Sequence, residues 1–164
     1  MRILIISDTH IDSIEKLPPV ILREAEAADA VLHAGDIVGM QLISQLQRIN
    51  TQTYAVKGNM DAMVSSDVLP EKRVLNFDGV TIGLSHGEGS PFGLENRLLY
   101  EFDGADIIIY GHTHKPFSGK VGNVHFLNPG SPTANRFQPN GTYALLFIEN
   151  GRFRAEIKQI TEKQ

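Results

Sequence analysis

Residues 1–10 read MRILIISDTH, an Ile-rich apolar run that stops abruptly at Ser7-Asp8. A run this short, bounded by polar residues, reads as a fully buried strand, residues 2–6. Two more runs follow the same grammar: residues 30–33 before Gly35-Asp36, and residues 53–56 before Gly58-Asn59. Between them lie helical patterns. Pro18-Pro19 mark a helix start and predict a helix running to about Ala28, because proline is tolerated in the first turn. Leu42, Ile43, Leu46 and Ile49 follow helical spacing. Strand, helix, strand, helix, strand over sixty residues favours parallel strands joined by right-handed crossovers. Ligand sites in such sheets form at the carboxyl ends of the strands.

The second half is organised differently. Residues 74–77 and 80–85 flank Asp78-Gly79, a two-residue hairpin signal. Residues 92–102 predict a helix, with Phe92, Glu95, Leu98, Leu99 and Phe102 near a 3.6 period, and residues 107–110 (IIIY) another buried strand. Gly122-Asn123 and Asn150-Gly151 predict antiparallel hairpins near the C-terminus. Together the two halves predict two mixed sheets packed face to face with helices outside, a layering that rests partly on the family resemblance given below.

The chain has 164 residues, enough for one domain (1–164) with a substantial core. Its 41% hydrophobic and 21% charged content suits a soluble globular protein. The N-terminal apolar run is too short for a signal or membrane segment, so a cytoplasmic location without a membrane partner is expected. Cysteine is absent, which removes disulfides, thiolate nucleophiles and sulfur-ligated metals. A net charge of −4 argues against a stable nucleic-acid complex through a basic surface.

The polar residues at strand ends form one series: Asp8 and His10 (SDTH), Asp36 (GD), Asn59 and Asp61 (GNMD), His86 (SHGE), and His112 and His114 (GHTH). Four of the six histidines belong to it, so they are not scattered at random. Each member taken alone fits a turn or a cap. A turn explanation does not, however, require four imidazoles, two carboxylates and an amide at successive strand ends. A pair of cations does. Nitrogen and oxygen donors suit divalent Mn, Fe, Co, Ni or Zn, and seven ligands fit two ions if a carboxylate bridges them. His33 and His125 stand outside the series and read as structural.

The ordered pattern DxH, GD, GN, H, GHxH resembles the calcineurin-like metallophosphoesterase superfamily over nearly the whole chain, and the short length resembles its small bacterial and archaeal phosphodiesterase branch. The resemblance implies a four-layer α/β/β/α sandwich. It implies that Asp8, His10, Asp36 and His114 hold one metal, and that Asp36 bridges to a second held by Asn59, His86 and His112. The cofactors implied are two divalent transition-metal ions, manganese ranked first with Ni, Fe, Co and Zn as alternatives. The reaction implied is hydrolysis of a small or exposed phosphodiester by in-line attack of a bridging hydroxide, with Asp36, Asn59, His86 and Asp61 in the catalytic set. Two divalent ions against two carboxylates and a hydroxide leave the site positive by about one charge, which suits an anionic ester.

Larger family members carry His after the Asn, where this chain has Met60. A thioether is a weak acceptor and cannot protonate a leaving group. Modest turnover and a preference for acidic leaving groups are therefore expected. Asp61 is expected to orient a histidine ligand. Residues 128–136 (NPGSPTANR) form a loop resembling the family's NPGS segment, with Ser131 and Arg136 as candidate substrate contacts. Lys115 stays undecided; Gly87 and Gly89 allow close backbone approach. Two other readings remain open: a metal-binding interaction scaffold, since a retromer subunit shares this fold, and a phosphomonoesterase. Exposed hairpin edges also allow a homo-oligomer.

Overall fold

The structure, a computed structural model, describes residues 1–133 and 139–161. Two five-stranded sheets form its centre. Strands β1 (Arg2–Ile6), β2 (Ala30–His33) and β3 (Thr53–Ala55) run parallel, joined through helices α1 (Pro19–Ala27) and α2 (Met40–Ile49). The hairpin of β9 (Thr142–Glu149) and β10 (Arg152–Gln159) completes this sheet in the order β10-β9-β1-β2-β3. The second sheet has the order β4-β5-β6-β8-β7, from β4 (Lys72–Phe77), β5 (Val80–Ser85), β6 (Ile107–Ile109), β7 (Phe117–Val121) and β8 (Val124–Asn128). Here β5, β6 and β8 are the parallel strands.

Alternation along the strands explains the layers. Ile3 and Ile5 of β1 join Leu32, Ile82, Leu84, Ile107, Ile109 and Leu127 in the core between the sheets. Leu4 and Ile6 point the other way, onto Ile21 and Ala25 of α1 and Leu42 and Leu46 of α2. Ile108, Tyr110 and Phe126 form the outer face of the second sheet, under Leu94 and Leu98 of helix α3 (Leu94–Leu99). Strands buried on both faces read as continuous apolar runs, and these do. The order of layers is therefore α/β/β/α, as expected. None of the described helices is long and apolar enough to cross a membrane.

The hairpins sit where their turn residues place them. Asp78-Gly79 (φ 48° and 82°) and Asn150-Gly151 (φ 51° and 71°) are left-handed at both positions, as tight hairpins of this twist require. The helix expected over 92–102 is shorter. Gly93 has φ 69°, a left-handed conformation that cannot continue an α-helix backward, so the helix begins at Leu94 and leaves Phe92 outside. Phe102 still packs on the same cluster as Leu94 and Leu98, which is why the apolar spacing outruns the helix.

Asn128 ties the end of β8 to the rim of β6. Its buried amide donates to the Gly111 carbonyl at 2.7 Å and to Thr113 Oγ1 at 3.1 Å, and its Oδ1 accepts from the Gly130 N–H at 2.9 Å. Stranding these buried groups in Asn128→Ala should lower stability by about 3 kcal/mol. Denaturant unfolding of the metal-free protein measures this; a loss below about 1 kcal/mol would contradict the clamp.

Candidate metal centre

The parallel strands of both sheets end on one rim. Asp8 and His10 follow β1, Asp36 follows β2, Asn59 follows β3, His86 follows β5, and His112 and His114 follow β6. Two backbone features bring their side chains together. First, Asp8, His10, Asp36, His112 and His114 all have φ between 50° and 68°. Left-handed backbone is uncommon for residues with a Cβ, although Asp and His tolerate it better than most, and each instance costs on the order of 1 kcal/mol. It turns the chain off the strand axis toward the rim's centre. Second, glycines let the rims touch. A Cβ on Gly58 would lie 2.2 Å from Asp36 Oδ1, and one on Gly111 would lie 2.0 Å from Ser7 Oγ and 2.6 Å from Asp8 Oδ2.

The resulting cluster has two lobes. Donor atoms of Asp8, His10, Asp36 and His114 all lie within 4.8 Å of one another. His114 Nε2 is 3.3 Å from Asp8 Oδ1, and His10 Nε2 is 3.6 Å from Asp36 Oδ2. In the other lobe, Asn59 Oδ1 lies 3.2 Å from both His86 Nε2 and His112 Nδ1. Asp36 stands between the lobes, its Oδ1 3.4 Å from His86 Nε2. Seven of the eight residues named from the strand ends, all but Asp61, thus meet at one spot. A cleft of about 240 Å³ opens onto His10, Asp36, Asn59, His112 and His114, lined also by Met60 and Thr113.

Hydrogen bonds fix which nitrogen of each imidazole turns inward. His86 Nδ1–H donates to the Ala34 carbonyl at 2.7 Å, which turns Nε2 toward Asn59 and Asp36. Burial pushes this ring's pKa down, but the Asp36 hydrogen bond and the Asp8 and Asp36 charges raise it, so a ligated cation would take the place of the Nε2 proton. His112 Nε2–H donates to the Gly89 carbonyl at 2.8 Å, which frees Nδ1 toward the cluster. Fixing one ring nitrogen as donor so that the other can ligate is how metal sites orient histidine. The nitrogen and oxygen donor set, with these nitrogens turned inward, fits a divalent transition metal.

Electrostatics couple the two carboxylates to these imidazoles. Burial pushes the Asp8 carboxyl up, against the pull of His86, the Ser7 hydrogen bond and His114. Burial also acts upward on Asp36, but the His86 hydrogen bond and charge and the Met60 N–H outweigh it and hold this carboxyl below its ordinary value. Met60 thus contributes its amide, donating to Asp36 Oδ1 at 2.9 Å, while its side chain is 58% exposed toward solvent.

Two expectations need correction. Asp61 orients no histidine: its buried carboxylate accepts from the N–H groups of Ile37 (3.1 Å), Val38 (2.8 Å) and Gly58 (2.9 Å). It clamps the Asp36 loop to the Asn59 loop and holds Val38, a β-branched residue at φ 76°. Backbone carbonyls at Ala34 and Gly89 take the orienting role instead. Ser131 is fully buried and donates to the Asp8 carbonyl at 2.8 Å, so it braces the Asp8 turn and does not face a substrate. Arg136 lies outside the described residues. Sequence reasoning also passed over Ala34 and Gly111, and it named Gly89 for close backbone approach, whereas a Cβ there meets open space and its carbonyl is what holds His112.

With this geometry in view, comparison with known proteins is direct. Residues 1–151 match the model of the calcineurin-like phosphoesterase superfamily domain. The chain belongs to that family and is a metal-dependent phosphoesterase hydrolase using divalent metal. It is 35% identical to a probable metallophosphoesterase of Methanothermobacter thermautotrophicus, over 96% of this chain and 91% of that one. It is 28% identical to a phosphodiesterase of Methanocaldococcus jannaschii, over 79% of this chain and 83% of that one. Among solved structures, a Thermotoga maritima protein matches with a TM-score of 0.76 and 38% identity, over 97% of this chain and 99% of that one.

His33, beside the centre, is fully buried and neutral: its Nδ1 accepts from the Gly35 N–H, and its Nε2–H donates to Thr9 Oγ1 at 3.0 Å. Desolvation by burial lowers its pKa to about 3. The unfolded chain therefore binds a proton at pH values where the fold does not. The stabilising contribution of neutral His33 is whole above about pH 6.5 and declines as pH falls toward 3. Denaturant midpoints followed from pH 7 to 4 should fall less steeply in His33→Gln than in the wild type; parallel slopes would contradict this.

Proposed function

We propose that the chain is a phosphodiesterase working with two divalent transition-metal ions. The observation that carries the reading is the position of Asp36, whose Oδ2 faces His10 and whose Oδ1 faces His86. One carboxylate is thereby offered to two groups of donors. In this reading Asp8, His10, Asp36 and His114 hold one ion, and Asp36, Asn59, His86 and His112 the other, with manganese ranked first among Mn, Ni, Fe, Co and Zn. When bound, such ions acidify water and neutralise charge on a phosphoryl group.

The chain's own residues have narrower tasks. Asp36 sets the spacing of the two lobes, held by the Met60 N–H and by the Asp61 clamp on the loops either side. His86 and His112 keep one nitrogen turned inward because Ala34 and Gly89 hold their outer protons. The neutral Asn59 and histidine donors leave the cleft short of negative charge, which favours an anionic ester. Asp36→Ala should then cut bound metal toward zero, whereas His112→Ala should keep about one ion per chain with the second weakened at least tenfold. Metal analysis after equilibrium dialysis distinguishes them, and equal single-site losses in both would sink the bridging assignment.

Diesters are favoured over monoesters because the cleft supplies no acid at position 60 for a strongly basic leaving group. Met60 lines the cleft and is largely exposed, so a histidine there can reach a bound ester. Met60→His should raise kcat on an alkyl aryl diester with a poor leaving group by about tenfold or more, and hardly change a nitrophenyl ester. An equal change on both would refute the role given to that position. The scaffold reading predicts gaps in the donor set, and the completeness of that set among the described residues speaks for catalysis. Action in the cytoplasm as a single domain over 1–164 belongs to the same reading.

A further inference from the structure

The 240 Å³ cleft over the donor atoms is adjoined by a larger groove of about 550 Å³. His112 and Thr113 line both. The remaining walls of the groove are Pro91, Phe92, Phe117 and Tyr110, with Glu95 and Lys115. Phe92 is 85% exposed and Phe117 38% exposed, so two aromatic rings stand in solvent beside the centre. A single exposed phenylalanine is ordinary, but two lining one groove beside a polar centre form an apolar patch of the kind that binds ligands.

The Phe92 loop is built to stay in place. Arg97 donates to the carbonyls of Phe92 and Glu88, each at 3.0 Å, and also to that of Ser90. The same loop supplies the Gly89 carbonyl that orients His112. At the floor, the Tyr110 hydroxyl donates to Glu95 Oε1 at 2.6 Å, which fixes that carboxylate in position. Exposed Lys115 adds a cation to the wall of the groove, complementary to an anionic ester.

We propose that this groove is a subsite for a flat aromatic group, aryl or nucleobase, carried on the phosphoryl group that the metal centre acts on. The inference rests on the phosphodiesterase reading above and adds the chemical class of the ester. Phe92 and Phe117 supply stacking faces, His112 and Thr113 connect ring and phosphorus, and Lys115 offsets charge on the ester. An apolar but non-planar group of the same size gains less, because stacking on an aromatic face rewards a π-face.

Titration calorimetry of the manganese-loaded protein tests this with phenylphosphonate against cyclohexylphosphonate, and with adenosine 5′-phosphate against ribose 5-phosphate. Phenylphosphonate should bind about tenfold tighter than cyclohexylphosphonate. Phe92→Ala should abolish that ratio, and Phe117→Leu, a conservative change, should reduce it. A matching ratio in the adenosine pair extends the subsite to nucleobases, whereas its absence confines it to small aryl groups. Equal binding within both pairs, or no binding at all, overturns the proposal. So does equal binding together with self-association that Phe92→Ala disrupts, which would assign the groove to a second copy of the chain. Hydrolysis of bis(4-nitrophenyl) phosphate by the wild type reports separately on the phosphodiesterase reading, since its failure leaves the binding ratios intact.

Discussion

Two sheet rims meet in this molecule more closely than side chains permit. At Gly35, Gly58 and Gly111 any Cβ would fall within 2.8 Å of an atom from a neighbouring segment. Those contacts set where the strand-end loops sit, and through the loops they set the donor atoms. Sheet packing ordinarily keeps about 10 Å between backbones. Only at the rim, where the side-chain layer runs out, can one sheet's loops hydrogen-bond the other's. The Ala34 carbonyl receives His86 Nδ1–H, both Asp8 oxygens accept from the His112 N–H, and Ser131 reaches the Asp8 carbonyl.

This arrangement concentrates unfavourable features in a small volume. Left-handed backbone at five donor residues, two buried carboxylates and four crowded imidazoles all cost free energy relative to an ordinary turn. The molecule compensates locally, with the Asp61 carboxylate taking three amides and Asn128 making three hydrogen bonds. Rigidity follows from those compensations. A donor set held this way is preorganised for cations, and preorganised dipoles are what a charged phosphoryl group responds to.

Apart from His112 and Thr113, the proposed aromatic subsite draws on other elements than the strand-end cluster. The donors sit on loops that follow central parallel strands. The adjoining groove takes its aromatic rings from the Gly-rich segment before α3 and from edge strand β7. The Phe92 side chain can vary without disturbing the cross-sheet contacts, whereas the backbone of its loop is tied to the cluster through the Gly89 carbonyl.

Much of this was legible in residues read one after another. Continuous apolar runs, each ending in a polar pair, specify buried parallel strands whose ends carry chemistry, and Asp-Gly and Asn-Gly specify the hairpins, because both signals are local. That Asp8, His10, Asp36, Asn59, His86, His112 and His114 converge was legible for the same reason, since each follows a strand end. Asp61 and Ser131 were misassigned because their partners are backbone groups 24 and 123 residues away, which no residue pattern announces. The short α3 escaped because a left-handed Gly93 is indistinguishable in sequence from a helical one. Chain order thus determined which side chains could bind cations. Distance, ring orientation and the division into two lobes were decided only by the tertiary fold, since they depend on backbone atoms meeting across two sheets.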